Sequence, residues 1–376
     1  FLAFNYAALT ESVGLVGTGV ENVLKVTLPL GISFYTFQSM SYTIDVYRGD
    51  ARAIRNPIDY WCYVSMFPQL VAGPIVRFKD IADQLRERTH TTEKFTRGIA
   101  FLALGLGKKI LLANPCGKVA DMAFDAGSIG CLDSWVGAVA YAFQIYFDFS
   151  AYSDMAIGLG LMMGFMFAKN FDSPYLSQSI TEFWRRWHLS LSTWLRDNLY
   201  FPLGGNRKGN LRTYANLMTT MLLGGLWHGA SWTFVVWGGL HGLYLGAERW
   251  LKARVGDKAI WSRLPAQVFL ALLTYFLVNI TWVFFRAGDF ATAWRMIVTM
   301  LTFVTEGEKV LITPHIVQVV ITIGIMLLIH WRMRERKLDE VVGRMPAWLT
   351  GLIWGVMLTL IIITQGGSDA FIYFQF

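Results

Sequence analysis

The sequence has 376 residues, of which 54% are hydrophobic and only 16% are charged, and its formal net charge is +7. Ordinary globular domains carry about 25% charged residues. This composition, with a mean hydropathy of +0.41, excludes a disordered chain and favours a polytopic membrane protein. The positive charge does not indicate a nucleic-acid partner, because membrane proteins concentrate Lys and Arg in their cytoplasmic loops.

Apolar stretches long enough to cross a bilayer recur along the chain. A spanning helix needs about 20 mostly apolar residues, and the clear candidates are residues 24–47, 266–285, 313–331 and 346–365. Two shorter apolar segments lie at 60–76 and 98–115, the second containing Lys108 and Lys109.

Two further stretches, 132–168 and 214–247, are each long enough for two helices. We expect the first to be interrupted at Asp148, Ser150, Ser153 and Asp154, and the second to turn back at its glycines. No alternation typical of barrel strands is present, so the pattern predicts an all-α fold. The chain begins at Phe1 rather than Met, and we expect one membrane-embedded domain over residues 1–376, preceded by further helices.

The loops between these segments carry most of the cations. Clusters of Lys and Arg lie in 48–55, 77–97, 206–212, 249–263 and 332–344. The positive-inside rule places all five loops in the cytoplasm. The last apolar segment then leaves the C-terminal tail on the outer side, which is the periplasm if the membrane is a bacterial inner membrane.

Residues 179–197 read as a helix that lies on the membrane surface. Ser179 and Glu182 fit a capping box, and Trp184, Trp187 and Trp194 recur at helical spacing between arginines. This pattern predicts one amphipathic helix with its aromatic rings at headgroup depth.

Three histidines lie in or near the apolar segments. His228 follows Arg212 by 16 residues, which is about 24 Å along a continuous helix and places it at mid-bilayer depth. Ionisable groups at that depth usually serve a function, although a neutral histidine bonded between helices is the alternative. For His188, within the surface helix, and His241, near the inner face, we favour structural roles from position alone.

The carboxylates Asp148 and Asp154 flank Phe149-Ser150-Ala151-Tyr152-Ser153. They either line a substrate tunnel or mark a helix break that caps the next helix. No His/Cys cluster has the spacing of metal ligands, so we predict no metal site. Cys62, Cys116 and Cys131 form no CxxC pair and read as buried apolar residues.

A cationic patch accompanies the surface helix, formed by Arg185, Arg186, Arg196, Arg207 and Lys208. Ordinary anchoring to anionic lipid is the simpler interpretation. The alternative is a landing site for an anionic donor such as coenzyme A, because guanidinium groups bind phosphate oxygens well.

Several motifs together resemble the membrane-bound O-acyltransferase family. The most specific is QSITEFWRRWHLSLSTWLRD at 178–197, followed by GGNR at 204–207 and GLWHG at 225–229. Further matches are PLGISFYTFQ at 29–38, IDVYRG at 44–49, AGPI at 72–75 and YFDFSAYSDMAIG at 146–158. The branch looks like the bacterial alginate O-acetyltransferases of the inner membrane, with teichoic-acid D-alanyl transfer proteins as more distant relatives.

The resemblance implies a ring of tilted helices, with amphipathic and re-entrant segments, around a central tunnel. It implies that His228 and His188 are catalytic. On this mechanism we expect the donor acetyl-CoA to bind at Arg185, Arg186, Arg196, Asn206 and Arg207, and we expect the tunnel to be lined by Asp148, Asp154, Trp184, Trp187 and Trp227. The acceptor would be reached from outside, with a periplasmic acetyltransferase partner completing transfer to a polysaccharide, alginate first of all.

Other functions stay open at this point. Relatives that acetylate cellulose or peptidoglycan, or that transfer D-alanine, share the same motifs. A proton or solute transporter would also use intramembrane His and Asp, and a scaffold that recruits a secreted acetyltransferase would bind no acetyl-CoA.

Overall fold

The computed structural model describes residues 31–71, 73–229, 231–256, 261, 263–303, 307–333, 345–364 and 371–372. Helices dominate these residues because each helix satisfies its own backbone hydrogen bonds, as lipid requires. In chain order the helices are α1 Ile32–Arg48, α2 Pro57–Val64, α3 Phe78–Arg86, α4 Thr92–Phe124, α5 Cys131–Met162, α6 Ile180–Trp184, α7 Leu189–Leu195, α8 Asn210–His228, α9 Trp232–Val255, α10 Leu264–Arg286, α11 Phe290–Thr302, α12 Thr313–Met333 and α13 Ala347–Thr364.

Four of these helices, α4, α10, α12 and α13, are long and apolar enough to cross a membrane. Three of the predicted spans are thereby confirmed, at 266–285, 313–331 and 346–365. The predicted span at 24–47 coincides with α1 where the structure describes it, and residues 24–30 lie outside the described residues. The short segment 60–76 does not form one helix, since α2 ends at Val64.

Helix α4 is longer than the apolar segment 98–115 from which it was predicted. It begins after Thr91, whose side chain accepts a hydrogen bond from the Lys94 N–H (3.1 Å). A π-helical stretch, Lys108–Ala113, lies within it. The two lysines of this stretch do not interrupt the helix because both form ion pairs with α5.

The predicted interruption within 132–168 is wrong, because α5 is one helix of 32 residues. Its polar side chains are satisfied without a break. Asp148 pairs with Lys109 and Asp154 with Lys108, each at 2.5 Å, and the Ser150 hydroxyl donates to the Phe147 carbonyl. A helix of this length is about 48 Å long and exceeds the hydrocarbon core. It packs along α4 and forms the centre of the core.

Stretch 214–247 does form two helices, α8 and α9, which pack closely against each other. Their glycines allow this approach. A Cβ atom on Gly225 would lie 2.3 Å from the Phe234 carbonyl oxygen, and one on Gly238 would lie 2.3 Å from that of Met221. The helix pair therefore requires glycine at both positions, as expected for close helix packing in membranes.

The surface segment 179–197 is not the single amphipathic helix that its periodicity predicts. It divides at His188, whose φ of 45° is left-handed, into α6 and α7, and a π-helical stretch Arg196–Tyr200 follows. The cause is tertiary: the Leu189 N–H donates to the Asn170 carbonyl, and the Arg186 carbonyl accepts from the Asp172 N–H, both at 2.9 Å. These bonds replace those of a continuous helix.

The capping box of this segment is confirmed in part. The Ser179 hydroxyl accepts from the Glu182 N–H (3.1 Å), but the Glu182 carboxylate accepts from the Gln178 N–H (2.8 Å) instead of that of Ser179. The prediction of buried cysteines holds for Cys116 and is wrong for Cys62, which is exposed on α2, while Cys131 is half-buried.

Candidate active site

His228 is the last residue of α8 and lies in a cage of aromatic rings. Its ring centroid is 4.9 Å from those of Trp227 and Phe285 and 5.2 Å from that of Trp237. Helix α8 is continuous from Asn210, so the inferred depth of about 24 Å below Arg212 applies to the folded chain. His228 is half-buried.

His188 lies in the turn between α6 and α7 and is only 1% exposed. Its Nδ1 is 3.2 Å from Oδ1 of Asn170 and 3.4 Å from the Ser190 hydroxyl. The Asn170 amide is oriented by its own bonds: Nδ2 donates to the Ser153 hydroxyl, and Oδ1 accepts from both the N–H and the hydroxyl of Ser190. Since Oδ1 is an acceptor, Nδ1 carries the imidazole proton and Nε2 is left as the basic nitrogen.

The indole of Trp227 contacts both histidines. Its centroid lies 6.2 Å from that of His188 and 4.9 Å from that of His228. Across the described residues, Nε2 of His188 and Nε1 of Trp227 are buried without a hydrogen-bond partner. Buried polar atoms are ordinarily paired. These two atoms, one acceptor and one donor, therefore have unused hydrogen-bonding capacity beside the cage, as does the indole N–H of Trp237.

His241 has the structural role favoured from its position. Its Nδ1 accepts from the indole N–H of Trp184 at 3.3 Å, and its Nε2 is 3.0 Å from the Thr281 hydroxyl. That hydroxyl in turn donates to the Val278 carbonyl at 2.7 Å. Nε2 is thus the donor to Thr281, and both nitrogens of a neutral ring are used.

A cavity of about 520 Å³ opens between α6, α7, α8 and α9. Its walls combine apolar side chains such as Leu195 and Met221 with three cations, Arg185, Arg196 and Arg249. Trp184 lines the cavity and lies 5.8 Å from Trp237, which contacts His228. A line of ring contacts therefore runs from this cation-lined cavity to the histidine cage.

The structure divides the predicted donor-binding residues. Arg185 and Arg196 line the cavity, whereas Arg186 lies in a separate groove beside α10. Asn206 and Arg207 are exposed in the turn before α8 and do not line either space. Arg249, which the sequence analysis left among the loop cations, joins the cavity because α9 packs against α8.

The three tryptophans predicted to line the tunnel lie in three different surroundings. Trp184 lines the cavity and Trp227 joins the two histidines. Trp187 is buried in the core, with its ring 5.0 Å from those of Phe171 and Trp282. Asn170 and Ser190 orient His188, but the sequence did not predict this role. It depends on hydrogen bonds to residue 188 that only the tertiary structure shows.

Asp148 and Asp154 are both held in ion pairs on α5. Asp148 is 2% exposed, pairs with Lys109 and also accepts from the Ile372 N–H at 2.7 Å. Lys109 lies over the ring of Phe371, and Tyr152 contacts the same ring. The Asp148–Lys109 pair therefore holds residues 371–372 against α5. Asp148 is followed in the sequence by Phe149, whose ring is 4.6 Å from that of His188.

Polar contacts tie the segment that carries His188 to two neighbouring parts of the chain. The Arg77 guanidinium lies 2.9 Å from the Asp197 carboxylate, and Arg48 donates to the Asn198 side chain at 2.9 Å. The Ile75 N–H donates to the Ser190 hydroxyl at 3.0 Å. These bonds join the loop before α3 and the end of α1 to the segment that carries His188.

The chain resembles characterised families along most of its length. The model described as "MBOAT, membrane-bound O-acyltransferase family" matches residues 50–285. The probable alginate O-acetylase AlgI of Azotobacter vinelandii is 53% identical over 287 residues, 76% of this chain and 56% of the relative. The protein of that name from Pseudomonas aeruginosa is 50% identical over 302 residues, 80% of this chain and 57% of the relative.

A relative named for a different activity also matches. The peptidoglycan O-acetyltransferase of Helicobacter pylori is 37% identical over 306 residues, 74% of this chain and 58% of the relative. The chain thus spans less than three fifths of the length of each of these relatives. On the extent of the match at 50–285, together with its bilayer-length helices, the chain belongs to the membrane-bound O-acyltransferase family.

Proposed function

We propose that this chain contains the acyl-transfer centre of a membrane O-acetyltransferase that moves acetyl groups from acetyl-CoA to a polysaccharide hydroxyl. One observation carries the proposal: a line of ring contacts, from Trp184 to Trp237 to His228, connects the wall of the arginine-lined cavity to the histidine cage. The cavity offers cations to the donor phosphates and apolar walls to its acyl-bearing arm. The half-buried histidine lies where the thioester would arrive.

The proposed reaction needs one base and one hydrogen-bond donor. His228 removes the proton from the acceptor hydroxyl, and the oxygen bonds to the thioester carbon. The C–S bond then breaks and the coenzyme A thiolate takes the proton from His228. The indole N–H of Trp227 is available to the carbonyl oxygen as negative charge develops on it, and Nε2 of His188 is a second proton acceptor beside the same indole.

The acceptor is proposed from the relatives. Alginate is the first candidate because the Azotobacter and Pseudomonas relatives are named probable alginate O-acetylases. We propose that a periplasmic partner completes the transfer. Peptidoglycan is the second candidate, because a relative at 37% identity is named for it.

The proposed location is the bacterial inner membrane, with the chain forming one membrane-embedded domain. The arginine-lined cavity would face the cytoplasm, since Arg249 lies in the last turns of α9, within the cation-rich sequence segment 249–263 that the positive-inside rule assigns to that side. The tail after α13 would lie in the periplasm. In this orientation the donor would approach the histidine cage from the cytoplasm, and the acceptor would approach it from the outer side.

Acetyl transfer or hydrolysis by the purified protein tests the proposal. With labelled acetyl-CoA, the unmodified protein should turn over the donor and His228→Ala should lose turnover by about 100-fold or more, the range for general base catalysis. His90→Ala, a change of an exposed histidine remote from the cage, is the control. Equal turnover by His228→Ala would overturn the catalytic assignment of His228, whereas no acetyl-CoA binding or turnover by the unmodified protein would favour a transporter or a scaffold instead.

A further inference from the structure

A second groove, of about 620 Å³, lies between α10 and α12, with α5 as its floor. Six apolar side chains form much of its wall: Leu272, Tyr275, Ile323, Leu327, Leu328 and Trp331. Two of them face outward, since Leu272 is 63% and Leu328 59% exposed. Because α10 and α12 are helices of bilayer length, this groove opens towards lipid.

The groove has a polar end. Gln267 lies in the first turn of α10 and Trp331 in the last turn of α12, so these ends of the two helices meet at one level. In the sequence, both ends adjoin segments rich in Lys and Arg, at 249–263 and 332–344. From Gln267 to Tyr275 the groove descends about 12 Å along α10. Its polar end is therefore at the depth of lipid headgroups, and its apolar length is at the depth of acyl chains.

Glu182 and Arg186 line this polar end as a fixed pair of opposite charges. Nε and Nη2 of Arg186 lie 2.9 and 2.8 Å from the same carboxylate oxygen of Glu182. Nη1 of Arg186 donates to the Asp172 carbonyl at 3.2 Å, and the other Glu182 oxygen accepts from the Gln178 N–H. Both side chains are about one third exposed, at 31% and 32%, so each charge remains accessible.

A fixed carboxylate beside a fixed guanidinium is complementary to a headgroup that carries both charges. A phosphate would bind at Arg186 and an ammonium at Glu182, since an ionised carboxylate has about four acceptor sites. An anionic headgroup that has no ammonium would leave the Glu182 carboxylate unpaired and would be repelled by it. We propose that this groove binds a glycerophospholipid with an ethanolamine headgroup, its phosphate at Arg186, its ammonium at Glu182 and an acyl chain along Leu272 and Leu328.

The proposal gives Arg186 a ligand that differs from the donor of the neighbouring cavity. Arg185 and Arg186 are adjacent in sequence, but the first lines the arginine-lined cavity and the second lines the groove. Both residues follow the end of α6 at Trp184, and because their side chains line different spaces, one turn serves two ligands. The lipid site does not depend on the proposed acetyl transfer.

Native mass spectrometry tests the proposal directly. The protein would be reconstituted into nanodiscs with equal amounts of ethanolamine and glycerol phospholipids of identical acyl chains, and the lipid retained after release would be counted. We expect ethanolamine lipid to be retained preferentially. Leu272→Trp fills the groove and should lower the retention of ethanolamine lipid about tenfold. The control is Leu273→Trp, which changes the next residue, exposed but outside the groove, and should leave that retention unchanged.

The headgroup contact is tested by a matched arginine pair. Arg186→Gln should lower ethanolamine-lipid retention about tenfold, as expected when a hydrogen bond to a charged group is lost, and Arg185→Gln should leave it unchanged. Equal retention of the two headgroups, preference for the glycerol lipid, or full retention by Leu272→Trp would overturn the proposal. If Arg186→Gln fails to fold, the Leu272 and Leu273 variants still decide it.

Discussion

Trp227 lies against His188 with 6.2 Å between their ring centroids, and each ring presents a buried nitrogen without a partner among the described residues. One ring thus has an unused donor and the other an unused acceptor, and the Trp227 ring also contacts His228, with 4.9 Å between their centroids. This relationship makes the turn at residue 188 part of the proposed site, although its position in the sequence is only interfacial.

The first prediction concerns His188. Replacing it with Ala removes the basic Nε2, and we expect acetyl turnover to fall about 100-fold. The measurement is turnover of labelled acetyl-CoA, with the melting temperature followed in parallel. Unchanged donor turnover and polymer acetylation would return His188 to a structural role.

The orientation of His188 is tested through Asn170. Asn170→Ala removes the acceptor that holds the proton on Nδ1, so the basic nitrogen is no longer fixed. We expect turnover to fall about tenfold, as happens when a hydrogen bond that orients a functional histidine is lost. The pH–rate profile should change as well. A purely structural role would lower the melting temperature and leave that profile in place.

The second prediction concerns the indole N–H of Trp227. Trp227→Phe keeps an aromatic ring against Phe34 and Phe37 but removes the buried donor. If that donor stabilises the developing oxyanion, kcat should fall about 100-fold with little change in KM. A fall in stability with normal kcat in the folded fraction would assign the residue to packing alone.

The third prediction concerns the donor cavity. Arg249→Gln removes a cation from its wall, and we expect the KM for acetyl-CoA to rise about tenfold, with kcat little changed, because a charged hydrogen bond to phosphate is lost. Arg254→Gln changes an exposed cation near the end of the same helix and should have no such effect. Equal KM changes in both variants would indicate only a general electrostatic contribution.

The fourth prediction concerns the buried pair on α5. Asp148→Asn leaves the Lys109 ammonium without its carboxylate, and we expect a loss of about 3 kcal/mol in the free energy of unfolding. Replacing both partners, with Asp148→Leu and Lys109→Met, removes the unpaired charge and should recover much of that loss. Thermal unfolding of the three proteins measures both effects. Equal stability of the single and double variants would contradict the pairing argument.

The fifth prediction concerns pH and Asp197. Burial by itself would raise the pKa of this carboxyl, but hydrogen bonds from Arg196 and Arg77 outweigh burial and hold the pKa below its ordinary value. A lowered folded-state pKa contributes stability above the unfolded pKa of about 3.9, and this contribution is lost as the pH falls through the folded pKa.

The measurement compares thermal unfolding of the unmodified protein with that of Asp197→Asn between neutral pH and about pH 3.5. We expect a difference of about 1 kcal/mol or less near neutrality, because the pair is partly exposed. The difference should shrink below about pH 4. A difference that stays constant over this range would show that the carboxylate charge does not stabilise the fold.

The sequence by itself determined the class of protein and three of its spans, because about 20 apolar residues have no alternative to a helix in lipid. It also indicated His228, since an ionisable residue at that depth is costly. The cations of the loops predicted an orientation, and the motifs around 178–197 and 225–229 indicated the family, which the match at 50–285 confirms.

The tertiary structure decided what each polar residue contacts. Periodicity predicted one helix through 180–197, but hydrogen bonds from residues 170–172 divide it and turn His188 inward. The sequence predicted that Asp148 and Asp154 interrupt α5, but ion pairs with Lys109 and Lys108 of α4 keep the helix continuous. Arg185 and Arg186 are alike in sequence and line different spaces. A side chain's burial and partner depend on the neighbouring helix, and local spacing carries no information about which helix that is.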